Sequence, residues 1–158
     1  LGVTHLYLLQ TERTVRTSAY RKDRLERIAW EAAKQCGRPH IPQLFDPAPL
    51  ETVLALPHRW VALDSDGAAL GQLKERWTDP PGVLVGPEGG WSEEEKQQFR
   101  SRDVPMVSLG PLTLRTETAA LVGLFGALMR AGERSGTQRA EKNHKGGDVH
   151  DRSTPAGR

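Results

Sequence analysis

Two glycine-rich segments carry the residue types best suited to holding a ligand. They read VLVGPEGGWSEEE over residues 83–95 and VSLGPLTLRTET over residues 107–118, and each begins with a short apolar run typical of a buried strand. In open α/β sheets, ligands bind beyond the carboxyl ends of the strands, where glycine lets backbone donors approach a ligand closely. Either segment alone could be a tight turn, but two in one domain favour a binding site.

Other kinds of site have little support in the sequence. It contains neither the G-x-x-x-x-G-K-[ST] pattern of a phosphate-binding loop nor the G-x-G-x-x-G pattern of a dinucleotide site. The five histidines show no metal-ligand spacing, so we expect no metal. Cys36 lies on the apolar side of a predicted helix, which favours an inert core residue over a nucleophile.

The order of predicted elements indicates an α/β domain. Strands are expected at 5–10, 60–63, 82–85 and 106–109, and helices at 20–36, 50–56, 93–101 and 116–130. Short apolar strands that alternate with helices predict a mostly parallel sheet with helices on both faces.

Local signals refine three of these elements. The first helix has an apolar side made of Leu25, Ile28, Ala29, Ala32 and Cys36. A capping box of Ser92 and Glu95 begins the third helix, and Asp64 to Gly67 predict a turn. The last helix is apolar almost all round, as in a helix buried on several sides, and Gly123 and Gly126 would allow close packing.

The small net charge of +2 hides opposed local charges. Residues 1–38 carry eight basic and four acidic side chains, 39–133 have an acidic excess, and 134–158 have a basic excess. The basic first segment is either a solvated face or a patch for a polyanion such as nucleic acid. Residues 134–158 have too few aliphatic side chains to fold, so we expect a disordered tail after a domain at 1–133.

The single cysteine and the absence of a long apolar run predict a reducing, cytoplasmic setting without a membrane span. The sequence begins at Leu1, inside an apolar stretch, so we expect that it is a partial chain.

In combination, several segments resemble the SPOUT RNA methyltransferases, and within them the ribosomal small-subunit methyltransferase E family. The resemblance covers about residues 1–133 and rests on GPEGGWSEEE, SLGPLTLRTETAAL, LGVTHLYLLQTERT, EAAKQCGR and IPQL. It implies a deep trefoil knot at the C-terminal helix, a homodimer, and methylation of uridine N3 in 16S ribosomal RNA with S-adenosyl-L-methionine. The family also has an N-terminal PUA-like RNA-binding domain, which has no counterpart in this sequence.

The resemblance also implies roles for particular residues. Arg13 and Arg38 match basic positions that contact RNA, with Glu31 and Gln35 bracing them; a solvated helix face is the alternative. The cofactor positions are Gly86, Pro87, Glu88, Gly89, Gly90, Leu109, Gly110, Leu112 and Leu114.

Methylation at N3 requires the uracil to lose its N3 proton, so a cation beside its carbonyl groups would stabilise the reactive anion. Arg115 is the candidate for that role. Glu117 would accept the proton or orient Arg115, although the two could instead form a salt bridge that caps the last helix. A non-catalytic RNA-binding module and a ribose 2′-O-methyltransferase are the alternative functions.

Overall fold

The computed structural model describes residues 1–14, 21–73 and 77–132. Its strands are β1 (His5–Gln10), β2 (Gln43–Pro49), β3 (Trp60–Ala69), β4 (Gly82–Val85) and β5 (Met106–Ser108). Its α-helices are α1 (Lys22–Gln35), α2 (Leu50–Leu54), α3 (Glu93–Ser101) and α4 (Thr116–Gly132), and a short 3-10 helix covers Leu70–Gln72. The predicted tail at 134–158 lies outside the described residues.

Two parallel sheets confirm the predicted mixed α/β class. β1 pairs with β2, and β3 lies between β4 and β5 in a three-stranded sheet. Because β3, β4 and β5 all run the same way, the segments that follow β4 and β5 leave the same edge of their sheet.

The sequence did not predict β2, which contains Pro47 and Pro49. In a two-stranded sheet each strand has a free edge, where a residue without an N–H donor is tolerated. Tyr7 of β1 and Phe45 of β2 are register partners, and their rings stack with centroids 4.5 Å apart. The stacked pair helps to fix the register of this sheet. β1 has the predicted bounds, but its residues are exposed or half-buried rather than buried.

β3 continues to Ala69, where the sequence predicted a turn at Asp64 to Gly67. Leu63 and Ala68 both pair with Val107 of β5, so the residues between them form an irregular excursion from the ladder. An added Cβ at Gly67 would lie 2.6 Å from backbone atoms of Met106 and Val107. Glycine is therefore required where this excursion crosses β5.

Two predictions about α1 are wrong. Ala33 is the buried residue of this helix, whereas Ile28 of the predicted apolar side is 49% exposed. Cys36, predicted to be a core residue, is exposed, as is Ala32 on the same predicted side, because no described element covers this side of α1. Its Sγ lies 3.5 Å from the carbonyl oxygen of Ala33.

α4 is buried on one side only, in contrast to the prediction. Gly123 packs against Leu63 and Gly126 against Leu70, as expected of small residues that allow close approach. The opposite side is exposed because no described element lies over it, and its apolar residues are Leu121, Val122, Phe125 and Met129.

Candidate functional site

Residues 86–90 form a loop that packs against the side chain of Trp91. The Trp91 ring is buried, and its Nε1 donates a hydrogen bond of 2.8 Å to the carbonyl oxygen of Leu63 in β3. An added Cβ at Gly86 would lie only 3.1 Å from this ring. Gly90 has a φ of +69°, and its N–H donates to the carbonyl oxygen of Pro87. The glycines thus let the loop turn tightly beside Leu63 of β3.

The segment after β5 is held by Ser108. Its Oγ accepts a hydrogen bond from the N–H of Gly110 at 3.3 Å and donates to the carbonyl oxygen of Gly110 at 3.0 Å. Gly110 has a φ of +145°, which other residues rarely adopt. Leu112 and Leu114 follow with exposed side chains, 78% and 37% exposed. Exposed leucines on a constrained loop offer an apolar surface to a ligand.

Both glycine-rich segments border one hydrophobic cluster. Leu109 packs against this cluster, as does Val85, the last residue of β4. The structure therefore brings the two sets of predicted cofactor residues to the same end of one sheet, as the sequence led us to expect.

Arg115 and Glu117 lie at the N-terminal end of α4. The carbonyl oxygen of Arg115 accepts a hydrogen bond from Ala119 N–H at 2.8 Å, so the residue forms part of the helix start. Both side chains are exposed. They form no ion pair with each other in the part of the chain that the structure describes, which removes support for the capping salt bridge.

The two predicted RNA-binding arginines lie in different surroundings. The guanidinium of Arg13 donates a hydrogen bond of 2.7 Å to the carbonyl oxygen of Gly89. Arg38 is half-buried and donates at 3.0 Å to the carbonyl oxygen of Val3. Glu31 forms its ion pair with Arg27, at 4.0 Å, rather than with Arg13 or Arg38. Only Arg13 is thus seen in contact with the cofactor segments.

Sequence reasoning missed the side chains that support these loops. Trp91 directly follows Gly90, and Ser108 lies two residues before Gly110, so an aromatic or hydroxyl residue close to a glycine turn was an available signal. The Glu95 carboxylate also accepts a hydrogen bond from the N–H of Glu12 at 3.0 Å. That contact spans 83 residues and leaves no local signal in the sequence.

An ion-pair cluster holds the excursion of β3 against α3. Lys96 Nζ lies 2.9 Å from Asp64 Oδ2 and 3.1 Å from Asp66 Oδ2. The hydrogen bond to the Asp64 carboxylate, supported by Asp66, raises the pKa of Lys96 above 10.5 despite the opposing effect of burial.

A separate surface groove of about 570 Å³ lies between α1 and the start of β2. Within residues 1–14, 21–73 and 77–132 we find no group of three or more side chains able to hold a metal ion. The described helices include none that is long and apolar enough to cross a membrane.

Comparisons with known proteins agree on one family. Residues 1–126 match the family model of the RNA methyltransferase domain. The chain is 34% identical to ribosomal RNA small subunit methyltransferase E of Aquifex aeolicus, over 68% of this chain and 47% of the relative. It is 33% identical to the protein of that name from Synechocystis, over 78% of this chain and 44% of the relative.

Solved structures extend this agreement to the fold. The ribosomal RNA small subunit methyltransferase E of Neisseria gonorrhoeae, bound to S-adenosyl methionine, superposes with a TM-score of 0.67 at 32% identity. That match covers 78% of this chain and 53% of the other. A Porphyromonas gingivalis protein described as a probable rRNA-methyltransferase gives a TM-score of 0.68 at 27% identity, over 83% of this chain and 58% of the other.

The chain spans about half the length of the curated relatives that it matches. The family model nevertheless matches most of its described residues, including both glycine-rich segments. The chain therefore belongs to the family of RNA methyltransferase domains.

Proposed function

We propose that this domain uses S-adenosyl-L-methionine to methylate N3 of a uridine in 16S ribosomal RNA. The observation that carries the proposal is the placement of two constrained glycine-rich segments at one end of a parallel sheet, in a chain of the RNA methyltransferase family. The relatives named for ribosomal RNA small subunit methylation indicate the substrate class. A ribosomal RNA substrate also favours the cytoplasmic setting predicted from composition.

The residues of these segments fit such a cofactor. An added Cβ at Gly90 or Gly110 meets no heavy atom within 4 Å, so both glycines border open space. The exposed Leu112 and Leu114 suit the flat apolar face of adenine, and backbone groups suit its polar edge. The holding residues are the predicted ones: Gly86, Pro87, Glu88, Gly89, Gly90, Leu109, Gly110, Leu112 and Leu114.

When bound, the cofactor supplies an electrophilic methyl group. The chain must bring uridine N3 in line with that methyl carbon, at about 3 to 3.5 Å. N3 would have to give up its proton before it could accept that methyl group. The exposed guanidinium of Arg115 stabilises the negative charge on the uracil carbonyl oxygens, and the carboxylate of Glu117 accepts the proton or orients Arg115.

In this proposal, basic residues near β1 position the RNA. Arg13 adjoins the cofactor segments through its bond to Gly89, so a phosphate of an RNA bound at these segments would be within reach of its positive charge. Arg38 is the second candidate, near the start of β1.

The proposal includes the knot of the SPOUT family, formed where α4 passes through a loop of the sheet. The packing of Gly123 on Leu63 of β3 and of Gly126 on Leu70 of the 3-10 helix supports the close approach of α4 that such a knot requires. The finer prediction that helices cover both faces of the parallel sheet structure belongs to the same proposal.

We also propose that the chain forms a homodimer through α4. Four of its exposed side chains are large and apolar, which is unusual for a helix face in water. A second copy would cover each face with the same face, as two-fold symmetry requires. The four residues are Leu121 at 60% exposure, Val122 at 42%, Phe125 at 55% and Met129 at 55%.

Two measurements test the proposed activity. The first is calorimetric titration with S-adenosylhomocysteine, in which we expect binding to one site per chain. The second is nucleoside analysis after incubation with 16S ribosomal RNA or small ribosomal subunits, in which we expect N3-methyluridine. A 2′-O-methyl product would instead support the ribose methyltransferase, and RNA binding without any product would support the non-catalytic module. Absence of cofactor binding would contradict the pocket.

A further inference from the structure

The carboxylate of Glu95 joins two segments that are far apart in sequence. Ser92 and Glu95 are buried polar residues, at 2% and 5% exposure. Burying a carboxylate is costly unless hydrogen bonds compensate for lost water. Both oxygens of Glu95 have such partners.

The two oxygens serve different purposes. Oε2 accepts a hydrogen bond from the N–H of Ser92 at 2.8 Å, and the Ser92 hydroxyl accepts one from the N–H of Glu95 at 3.3 Å. These two bonds complete the capping box that begins α3. Oε1 is not needed for the cap, and it accepts the N–H of Glu12 at 3.0 Å.

Glu12 directly precedes Arg13, whose guanidinium binds the carbonyl oxygen of Gly89. An added Cβ at Gly89 would lie 3.3 Å from Cβ and Cδ of Arg13, so the side chain lies along the glycine loop. The chain at residues 12 and 13 is therefore attached at two points, by its backbone to Glu95 and by its side chain to Gly89.

We propose that Glu95 is a positioning residue for RNA binding, which acts by holding Arg13 beside the 86–90 loop. The inference rests on the proposed function, because it assigns Arg13 to the RNA. A long arginine side chain loses much rotamer freedom when it is held in one place. When the backbone one residue before Arg13 is already fixed, less conformational entropy is lost on RNA binding. The affinity for RNA is therefore higher without any new contact.

The variant Glu95→Gln tests this role. An amide oxygen can accept only one of the two N–H groups in this geometry, because the NH2 group of glutamine is a donor. We expect the affinity for 16S ribosomal RNA to fall roughly three- to tenfold, while the affinity for S-adenosylhomocysteine changes by less than about twofold. The bond from Ser92, three residues away, keeps the amide oxygen, so the N–H of Glu12 loses its acceptor and its hydrogen exchange should accelerate.

Ser92→Ala is the matched control. It removes the hydroxyl half of the capping box and weakens α3, yet it leaves both oxygens of Glu95 with their partners. Suppose that Glu95 only stabilises α3. Ser92→Ala and Glu95→Gln would then weaken RNA binding equally, provided that both lower the free energy of unfolding by the same amount. That result would overturn the proposal.

A double-mutant cycle with Arg13→Ala makes the test specific. If Glu95 acts through Arg13, Glu95→Gln has no further effect on RNA affinity once Arg13 has been replaced. Additive losses would contradict the mechanism, as would a wild-type chain that binds no RNA. A wild-type chain that binds RNA but transfers no methyl group would contradict the proposed chemistry alone, because the cycle is read from binding.

Discussion

Arg13 Nη1 donates a hydrogen bond of 2.7 Å to the carbonyl oxygen of Gly89, 76 residues away in the chain. This bond attaches the segment after β1 to the glycine loop after β4. It distinguishes Arg13 from the other predicted RNA-binding residue, Arg38, which bonds instead to the carbonyl oxygen of Val3, just before β1. The difference leads to separable expectations for the two arginines.

Arg13→Ala should weaken binding to 16S ribosomal RNA roughly tenfold and reduce the slope of log affinity against log salt by about 1. Arg38→Ala should lower thermal stability as well, because its bond to Val3 is half-buried. RNA titrations at several salt concentrations measure the affinity and the salt slope, and thermal unfolding measures the stability. Arg100→Ala, at an exposed position on α3, is the control. Unchanged affinity and salt slope in both variants would remove these arginines from the RNA interface.

Arg115→Ala should abolish methyl transfer, by at least about a hundredfold, while binding of S-adenosylhomocysteine persists. The reason is that Arg115 stabilises charge on the uracil in the transition state, whereas its backbone oxygen still accepts the Ala119 hydrogen bond after substitution. Single-turnover transfer rates and calorimetry measure the two effects separately. Arg102→Ala, on another exposed surface, should retain activity. Normal turnover of Arg115→Ala would exclude Arg115 from the mechanism.

Lys96→Met should lower the free energy of unfolding by about 2 kcal/mol near pH 8, because it removes the cation beside the Asp64 carboxylate, whose side chain is 5% exposed and keeps only the hydrogen bond from the N–H of Asp66. The pKa of Lys96 is raised in the folded state, so its contribution is fully present below pH 10.5 and is lost as the pH rises above the folded-state value. The stability gap between wild type and variant should therefore narrow in strongly alkaline buffer.

Urea unfolding at a series of pH values checks this expectation. Lys34→Met is the control, since Lys34 is exposed and lies over the Trp30 ring rather than beside a carboxylate. A gap for Lys96→Met that stays constant from pH 8 into the alkaline range would show that the ion pairs with Asp64 and Asp66 do not stabilise the fold.

Gly67→Ala should destabilise the domain by about 2 kcal/mol or more, because its Cβ would overlap backbone atoms of β5 that cannot move aside without separating the strands. Gly71→Ala is the matched control, as a Cβ there meets nothing within 4 Å. Its effect should stay within about 0.5 kcal/mol. Chemical unfolding of both variants measures the difference, and equal stabilities would argue against the close crossing of Gly67 over β5.

Phe125→Asp should shift the chain from dimer to monomer, since a carboxylate in an apolar interface would lose its hydration without gaining a partner. Phe125 is 55% exposed in the single chain, so the substitution should leave the monomer folded. Sedimentation velocity gives the oligomeric state, and circular dichroism confirms folding. A wild-type chain that sediments as a monomer at high concentration would contradict the proposed interface.

Features set by neighbouring residues were predictable from the sequence. The capping box of Ser92 and Glu95 is local, since its two partners are three residues apart, and the structure confirms both bonds. The short apolar runs gave correct bounds for β1 and β4 because a strand needs only alternating or continuous apolar residues and a turn at each end. The glycine-rich segments were identified by the spacing of residues that permit unusual backbone angles.

Burial and long-range contacts were decided only by the tertiary structure. Periodicity placed Cys36 on an apolar side, but whether a side is covered depends on elements elsewhere in the chain, and no described element covers this side of α1. The prolines of β2 argued against a strand in the sequence. They are tolerated because β2 pairs only with β1 in a sheet of two strands, so one edge of β2 needs no N–H donors. The bonds from Arg13 to Gly89 and from Glu12 to Glu95 join residues 76 and 83 positions apart. Sequence spacing carries no information about such pairs, because they meet only when the sheets and α3 have packed together.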